Sequence, residues 1–355
     1  MHIDLDYFYA QAEEIRSPEL KNKPIAVCMF SGRSEFSGAI ATSNYMARAL
    51  GIKAGMPISI AKQKSKELVL LKADRQYYEQ VSDRVMDIIR QKGEKFEQTS
   101  IDEAYLDISE SVKGSFVDAE KLAKEIKKEV FEKELLTCSI GIGPNKLIAK
   151  MASETKKPNG LTVIIPSYVQ EFLRTKSISD LQGVGPKTVE ELEKQGIKTI
   201  TQLAKTQLPK LVELFGEKKG KMLHEKANGI DDSIVEEKEQ QQYSRIITLK
   251  ENTSNPQKIF EYLPTISFEL EKKCIELRKT FKTISITIIS NKLESFTRSK
   301  TIEKASQKSE DIIKVSKNLI EEFFSEKPGF VARRFGIGIS GLSAPEKQKS
   351  ILDFK

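Results

Sequence analysis

Apolar and acidic residues alternate at the start of the chain, Ile3-Asp4-Leu5-Asp6, and predict a short strand running into the aromatic Tyr7-Phe8-Tyr9. Residues 23–29 predict a second strand, and the glycine- and serine-rich residues 31–38 a turn. Residues 39–50, small and helix-forming, predict a helix stopped by Gly51. In residues 75–92, Val81, Val85, Met86, Ile88 and Ile89 recur at helical spacing. Residues 96–108 hold two strand-like pieces meeting at a bend near residues 100–103. A helix over 121–133, a strand over 137–142, a helix over 145–155 and a strand over 161–165 follow. That order is a ferredoxin-like βαββαβ unit with an insertion near residues 11–73.

After Pro166 the pattern shortens to small helices. A helix, the glycine hairpin Gly183-Val184-Gly185 and a second helix from about Thr188 read as a helix-hairpin-helix, with a poorer copy near residues 214–221. Residues 230–242 are polar with little pattern and read as a linker. A strand (243–250), a helix (256–278), strands (281–290 and 296–302), a helix (306–325) and a strand (331–340) then predict a second βαββαβ sheet. Residues 342–355 read as a flexible tail.

Charge changes this picture. Residues 243–355 carry 21 Lys+Arg against 14 Asp+Glu, the whole of the net +7, so a basic segment is joined to a neutral one. That imbalance suggests a polyanion-binding module, although a lysine-rich solvated face explains it as well. No apolar run approaches the roughly 20 residues of a membrane span, and the acidic N-terminus lacks signal-peptide character, so a cytoplasmic, nucleoid-associated location is expected. Three scattered cysteines and two histidines exclude an ordinary zinc site.

The candidate chemistry lies in carboxylates. Asp4 is on the first strand and Asp102-Glu103 at the later bend; adjacent central strands bring the three together. Converging carboxylates repel unless a cation lies between them, and oxygen-only ligands favour Mg²⁺, with Mn²⁺ as an alternative. Such a set suits two-metal phosphoryl transfer.

The stretches MHIDLDYFYAQAEE, SGRSEFSGAIATSNYMARALGIKAGMPI, SIDEAYLDIS, SIGIGPNKLIAKMAS and KKPNGLTVI resemble, in order and spacing, the successive motifs of Y-family DNA polymerases, above all the archaeal DNA polymerase IV group. The resemblance covers essentially the whole chain. It implies an α+β multidomain right hand: palm (1–10 and 74–163), fingers (11–73), helix-hairpin-helix thumb (166–229), linker (230–242) and βαββαβ little finger (243–341). It implies template-directed, low-fidelity, low-processivity DNA synthesis past damaged bases by a monomer, on primer-template DNA and deoxynucleoside triphosphates. Asp4, Asp102 and Glu103 match the catalytic metal ligands for two Mg²⁺, with the Leu5 carbonyl a further ligand. Tyr9 matches the steric gate against a 2′-hydroxyl. Thr42, Tyr45, Arg48 and Lys157 match the triphosphate contacts, with Lys156 a rival of Lys157, and Ala41 lies over the incoming base.

Gly183, Gly185 and Lys187 are expected on the duplex backbone, as are Arg298, Lys300, Arg333 and Arg334. Only three residues precede Asp4, fewer than the family pattern, so the expectation is either a clipped first strand or a chain that starts a few residues late, and in both cases a less rigid Asp4. The tail residues Gln348, Ile351 and Phe354 resemble a sliding-clamp-binding peptide, since one helical turn brings the last two to one side. A catalytically dead DNA-binding scaffold and a nucleotidyl cyclase are the rival readings. The first would lack a carboxylate, and the second needs neither thumb nor basic sheet.

Overall fold

All four residues of the first strand, β1 (His2–Leu5), are buried, and the Met1 amine donates to the Leu106 carbonyl at 3.0 Å. The short strand is therefore firmly held. The computed structural model describes residues 1–237 and 239–345. Their contacts separate two units, Met1–Met29 with Ala39–Lys238, and Phe30–Gly38 with the chain from Glu239 onward.

In the first unit, β1 leads to α1 (Phe8–Arg16), then to β2 (Ile25–Phe30), β3 (Gly38–Ser43), α2 (Tyr45–Ala49), α3 (Ile58–Lys64) and β4 (Val69–Lys72). There follow α4 (Arg75–Arg90), β5 (Lys95–Gln98), β6 (Glu103–Asp107), α5 (Phe116–Glu134), β7 (Cys138–Ile142), α6 (Lys146–Ser153) and β8 (Leu161–Val163). The main sheet has the order β5-β6-β1-β7-β8, with β1 at its centre. Alternation then sends Ile3 and Leu5 into the core with residues of α4 and α5, each contributing about 1.5–3 kcal/mol by burial. His2 and Asp4 point to the opposite side. The inserted segment forms its own sheet, β3-β2-β4.

One expected helix is half strand. Residues 39–43 belong to β3, because Ile40 exchanges backbone hydrogen bonds with Gly55 and Met56 at 2.8 and 2.9 Å. Asn44 ends the strand: its side chain accepts from Ala47 N at 3.0 Å and Ile25 N at 3.2 Å, and α2 starts there. The helix preference of small residues is weak beside this pairing, and Thr42 therefore stands on a strand.

The small helices α7 (Val169–Arg174), α8 (Pro186–Lys194), α9 (Ile200–Lys205), α10 (Leu208–Phe215) and α11 (Glu217–Ala227) share a core with Leu147, Ile148 and Met151 of α6. Residues 231–237, expected as free linker, lie along this unit. Asp231 accepts from Leu147 N at 3.0 Å, Lys146 donates to the Ile234 carbonyl, Glu236 N donates to Glu97, and Glu237 pairs with Arg90 at 2.7 Å.

The second unit contains β9 (Gln242–Thr253), α12 (Pro256–Phe260), α13 (Leu263–Glu276), β10 (Phe281–Ser290), β11 (Ser295–Ser306), α14 (Ser309–Glu326) and β12 (Ala332–Ser340). The single helix expected over 256–278 is broken around residues 261–262, with Pro264 in the first turn of α13. The sheet order is β11-β10-β12-β9, and every pairing is antiparallel. Ile284, Ile286, Ile288, Phe335, Ile337 and Ile339 meet the apolar faces of α13 and α14 in one core. Within the same unit, Arg33 donates to the Leu249 carbonyl at 2.6 Å and to Asn252 at 2.7 Å.

Candidate functional site

The register of the central sheet sets Asp4 directly across from Glu103. The turn before Glu103 is held to β1 by the hydrogen bond from Leu5 N to the Asp102 carbonyl, 2.9 Å. Carboxylate oxygens of Asp4, Glu103 and Glu154 lie within 4.8 Å of one another, an oxygen-only donor set that fits a hard divalent cation. The Asp102 carboxylate, next door in sequence, accepts from Ser100 Oγ at 2.6 Å.

Two lysines stand where cationic charge is needed. Lys150 Nζ lies 2.7 Å from both oxygens of Glu103, and Lys157 Nζ lies 2.6 Å from Asp4 and 2.8 Å from Glu154. Burial pushes the Asp4 carboxyl up to about 8, against the pull of Lys157. Burial also acts to raise Glu103, but the hydrogen bonds and charge of Lys150 hold it below the usual carboxylate range. Burial acts to lower Lys157, and Asp4 with Glu154 carry it above its ordinary value. A carboxylate pair split this way holds one proton readily and exchanges it for metal charge.

Beneath the pair lies His2, fully buried, its Nδ1 2.8 Å from Ser153 Oγ and its ring 4.7 Å from that of Tyr105. Burial, then Lys150 and Lys157, keep this imidazole neutral. Asp6 is buried as well and does structural service. It accepts from Thr137, Ser139 and Asn159 N, so it ties the loop carrying Lys157 to β7.

Of the other expected nucleotide contacts, Tyr45 lies against Arg48. Its ring meets Tyr7 edge-on at 5.2 Å, and the Arg48 guanidinium lies 4.9 Å from its centroid. The Tyr45 hydroxyl is buried with no hydrogen-bond partner among the described residues. Burial, then Asp6, raise its ionisation above the usual phenol value, so it remains a donor. Arg48 Nε is fixed on the Ser43 carbonyl at 2.9 Å. Tyr9 is half-buried on α1 and stacks on Tyr78. Ala41 and Thr42 are half-buried on β3, and Lys156 is exposed.

In the helical region Gly183 has φ +92°, a left-handed conformation that favours glycine, and the space beside Gly185 is open. Pro186 then starts α8, with Lys187 exposed on its first turn. The poorer copy is a true helical hairpin, with α10 and α11 joined through Gly216.

The second sheet separates the four expected basic contacts. Arg298 pairs across from Ile286 and Lys300 from Ile284, in the files that meet the helices. The Arg298 guanidinium is engaged there, 2.8 Å from Glu326 and over the ring of Phe323. Arg334 pairs with Ile289 and Thr248 on the opposite side, which no helix among the described residues covers. Arg333 and Arg334 each keep a buried Nε without a partner among the described residues. Residues facing that uncovered side include Ser244, Thr248, Thr283, Ser285, Thr287, Thr297, Ser299, Gly336 and Gly338. It is a field of hydroxyls and missing side chains; a Cβ on Gly338 would come within 2.7 Å of Ser285 Oγ. Gln348, Ile351 and Phe354 lie outside the described residues.

Glu154, Lys150, His2 and the hydroxyl face escaped the reading of the sequence. Lys146, Lys150 and Glu154 recur four apart in NKLIAKMASE, a one-sided charge stripe that marks α6 as facing acids. The alternation of Thr and Ser in TISIT and SFTRSKT marks the uncovered side.

The chain is similar to known proteins along its length. The impB/mucB/samB family matches residues 3–154, its C-terminal domain matches residues 240–351, and the DNA polymerase-iota thumb domain matches residues 179–231. DNA polymerase IV of Methanosarcina acetivorans is 41% identical over 362 residues, covering 100% of this chain and 98% of its own length. That of Nitrosopumilus maritimus is 39% identical, over 99% of this chain and 98% of its own. Among solved structures, the Y-family DNA polymerase chimera Dbh-Dpo4(243-245)-Dbh is 34% identical with a TM-score of 0.91, covering 97% of this chain and 98% of that one. The insertion ternary complex of Dbh DNA polymerase is 34% identical with a TM-score of 0.71, over the same shares. Fold and relatives together define a DNA-directed DNA polymerase, a nucleotidyltransferase. The chain belongs to the Y family of these enzymes, with the archaeal DNA polymerase IV proteins. Among the described residues, no helix is long and apolar enough to cross a membrane.

Proposed function

We propose that this polymerase extends a primer 3′-end by two-metal phosphoryl transfer, with low fidelity, in synthesis past damaged template bases. The observation that carries the reading is the cross-strand pair Asp4–Glu103, each carboxyl facing its own lysine at 2.6–2.7 Å. Asp4, Glu103, Asp102 and the Leu5 carbonyl would hold two Mg²⁺, which would supply the positive charge that lowers the pKa of the attacking hydroxyl and offsets the negative charge of the triphosphate. Asp102 reaches this set once it leaves Ser100, while Lys150 yields Glu103 and Lys157 yields Asp4.

Released from Asp4, Lys157 turns its ammonium to the triphosphate. The unpartnered Tyr45 hydroxyl, the remaining Arg48 nitrogens and Thr42 join it there as donors, and a guanidinium with hydroxyls matches phosphate oxygens well. Tyr9 lies against the sugar, and Ala41 leaves the base pair loosely covered, which suits distorted template bases. The Gly183–Gly185 turn and the hydroxyl face of the second sheet grip duplex backbone through close, sequence-indifferent contacts. The ternary complex of the Dbh relative supports primer-template and nucleotide as joint partners.

Primer extension on intact and abasic templates tests the reading. Wild type extends both, whereas Glu103→Ala and Asp102→Ala extend neither while binding primer-template normally. Extension above a tenth of the wild-type rate by either variant overturns the metal assignment.

A further inference from the structure

Tyr9 does not stand alone. Its ring stacks on that of Tyr78, centroids 4.4 Å apart and planes 17° from parallel. Tyr78 comes from α4 and is fully buried, with 1% of its surface exposed. Its hydroxyl donates to Glu13 Oε1 at 2.7 Å. Glu13 is itself buried and stands one helical turn after Tyr9 on α1. Tyr78 thus spans a turn of α1, its ring under Tyr9 and its hydroxyl on Glu13. Phe8 closes the side of the group, 5.6 Å from Tyr9 and 6.4 Å from Tyr78. Further along the same contact, Tyr77 donates to the Ala12 carbonyl at 3.3 Å and Arg16 pairs with Asp74 at 2.9 Å.

We infer that Tyr78, anchored by Glu13, is a positioning residue for sugar selection: it sets the height and tilt of the Tyr9 ring against the nucleotide. The inference rests on the reading of Tyr9 as the steric gate. A gate discriminates a 2′-hydroxyl only if its ring cannot retreat by the size of one oxygen atom. A half-exposed tyrosine on a short helix has rotamer freedom to do so. A buried ring in parallel contact, itself pinned at its far end, removes that freedom, as positioned sites require. Burial and then Glu13 push the Tyr78 phenol above its usual range, so the donor is present throughout the working pH range.

The test compares single-nucleotide insertion of deoxyribo- and ribonucleoside triphosphates with the same base, as the ratio of kcat/KM. Tyr9→Ala collapses the ratio most. Tyr78→Leu, which removes stack and anchor, lowers it about tenfold, mainly through a higher ribonucleotide kcat/KM, because a displaced group loses discrimination steeply. Tyr78→Phe and Glu13→Gln, which keep the ring and lose or weaken the anchor, fall between Tyr78→Leu and wild type. In the Tyr9→Ala background Tyr78→Leu adds nothing, since there is no ring left to support. A merely structural role would lower both substrates alike and leave the ratio unchanged. The inference is overturned if Tyr9→Ala loosens sugar choice while Tyr78→Phe and Glu13→Gln leave it at the wild-type value, or if Tyr78→Leu acts equally with and without Tyr9. No response to Tyr9→Ala removes the gate reading itself, and with it the platform. Should Tyr78→Leu fail to fold, Tyr78→Phe and Glu13→Gln decide the matter.

Discussion

Two sheets in this chain share the element order strand-helix-strand-strand-helix-strand, which the first extends by α6 and β8, yet they are wired differently. In the first, β1 is central, between β6 and β7. In the second, the corresponding first strand β9 is at the edge, and β10 and β12 are central. A central first strand is flanked on both sides, so Asp4 is placed against Glu103 by register and buried. The second sheet leaves one side without a helix among the described residues, rich in Ser, Thr and Gly beside Ile246, Ile289 and Arg334. The first wiring concentrates charge at a point; the second spreads weak donors over a plane. Point chemistry and extended grip are therefore separate properties, and substitutions should separate them.

The largest expected effect is on chemistry alone. Asp4→Ala should reduce primer extension by about 10²–10³-fold or more, the scale of losing one electrostatic stabiliser of the transition state. Primer-template affinity should stay within about threefold, a modest change on the scale of binding energies. A parallel loss of DNA affinity would break the division between the sheets.

The converse substitution acts on grip. Thr287→Glu with Ser299→Glu places two acids on the uncovered side and should weaken DNA binding strongly. The slope of log K against log salt should shrink by about 2 if two phosphate contacts go. Arg298→Ala, whose guanidinium is spent on Glu326, should change that slope little and lower the melting temperature instead. If Arg298→Ala flattens the salt dependence and the double acid does not, DNA lies on the helix side.

Protons sharpen the account of the first sheet. The Asp4 carboxyl, pushed up to about 8, must lose its proton when metal binds. Apparent Mg²⁺ affinity of the free enzyme should therefore rise roughly tenfold per pH unit below 8 and level off above it. The same shift makes the metal-free protein lose stability as pH climbs from the usual carboxylate range toward 8, because the folded state holds the extra proton. Calorimetric titration from pH 6 to 9 measures the slope, and Asp4→Asn should flatten it. A flat wild-type profile would remove the proton from Asp4.

The smallest effect belongs to the tail. Ile351→Ala with Phe354→Ala should abolish stimulation by the cognate sliding clamp and leave clamp-free synthesis at wild-type rate. Tethering changes only effective concentration at the primer end. Equal stimulation of mutant and wild type would exclude the tail as the contact.

How much of this was legible in the sequence depends on the distance over which each feature is decided. Alternation in IDLD and the bend before Glu103 announced both strands and the acids they carry, because pleat and turn are local properties. The GVG hairpin and the helix expected over 306–325 were equally local and form near the places expected, whereas the helix expected over 256–278 is broken into α12 and α13. Residues 39–43 were misread as helix, since only pairing with distant backbone could overrule their small side chains. For the first sheet the ferredoxin-like order already made the strands of Asp4 and Glu103 adjacent and central, as they are, but in the second sheet the same element string told neither that β9 lies at the edge nor which side the helices leave free. Tyr9 was recognisable from its neighbours in sequence, but its support, Tyr78, comes from 69 positions further on, delivered by the packing of α4 on α1. The same holds for Lys150 and Lys157, which share no local pattern with Asp4 and meet the acids only through the fold. By itself the sequence determined which residues carry charge, hydroxyls and rings, and the period with which they recur. Tertiary structure decided which of them touch, because register and packing direction are settled by burying whole faces at once.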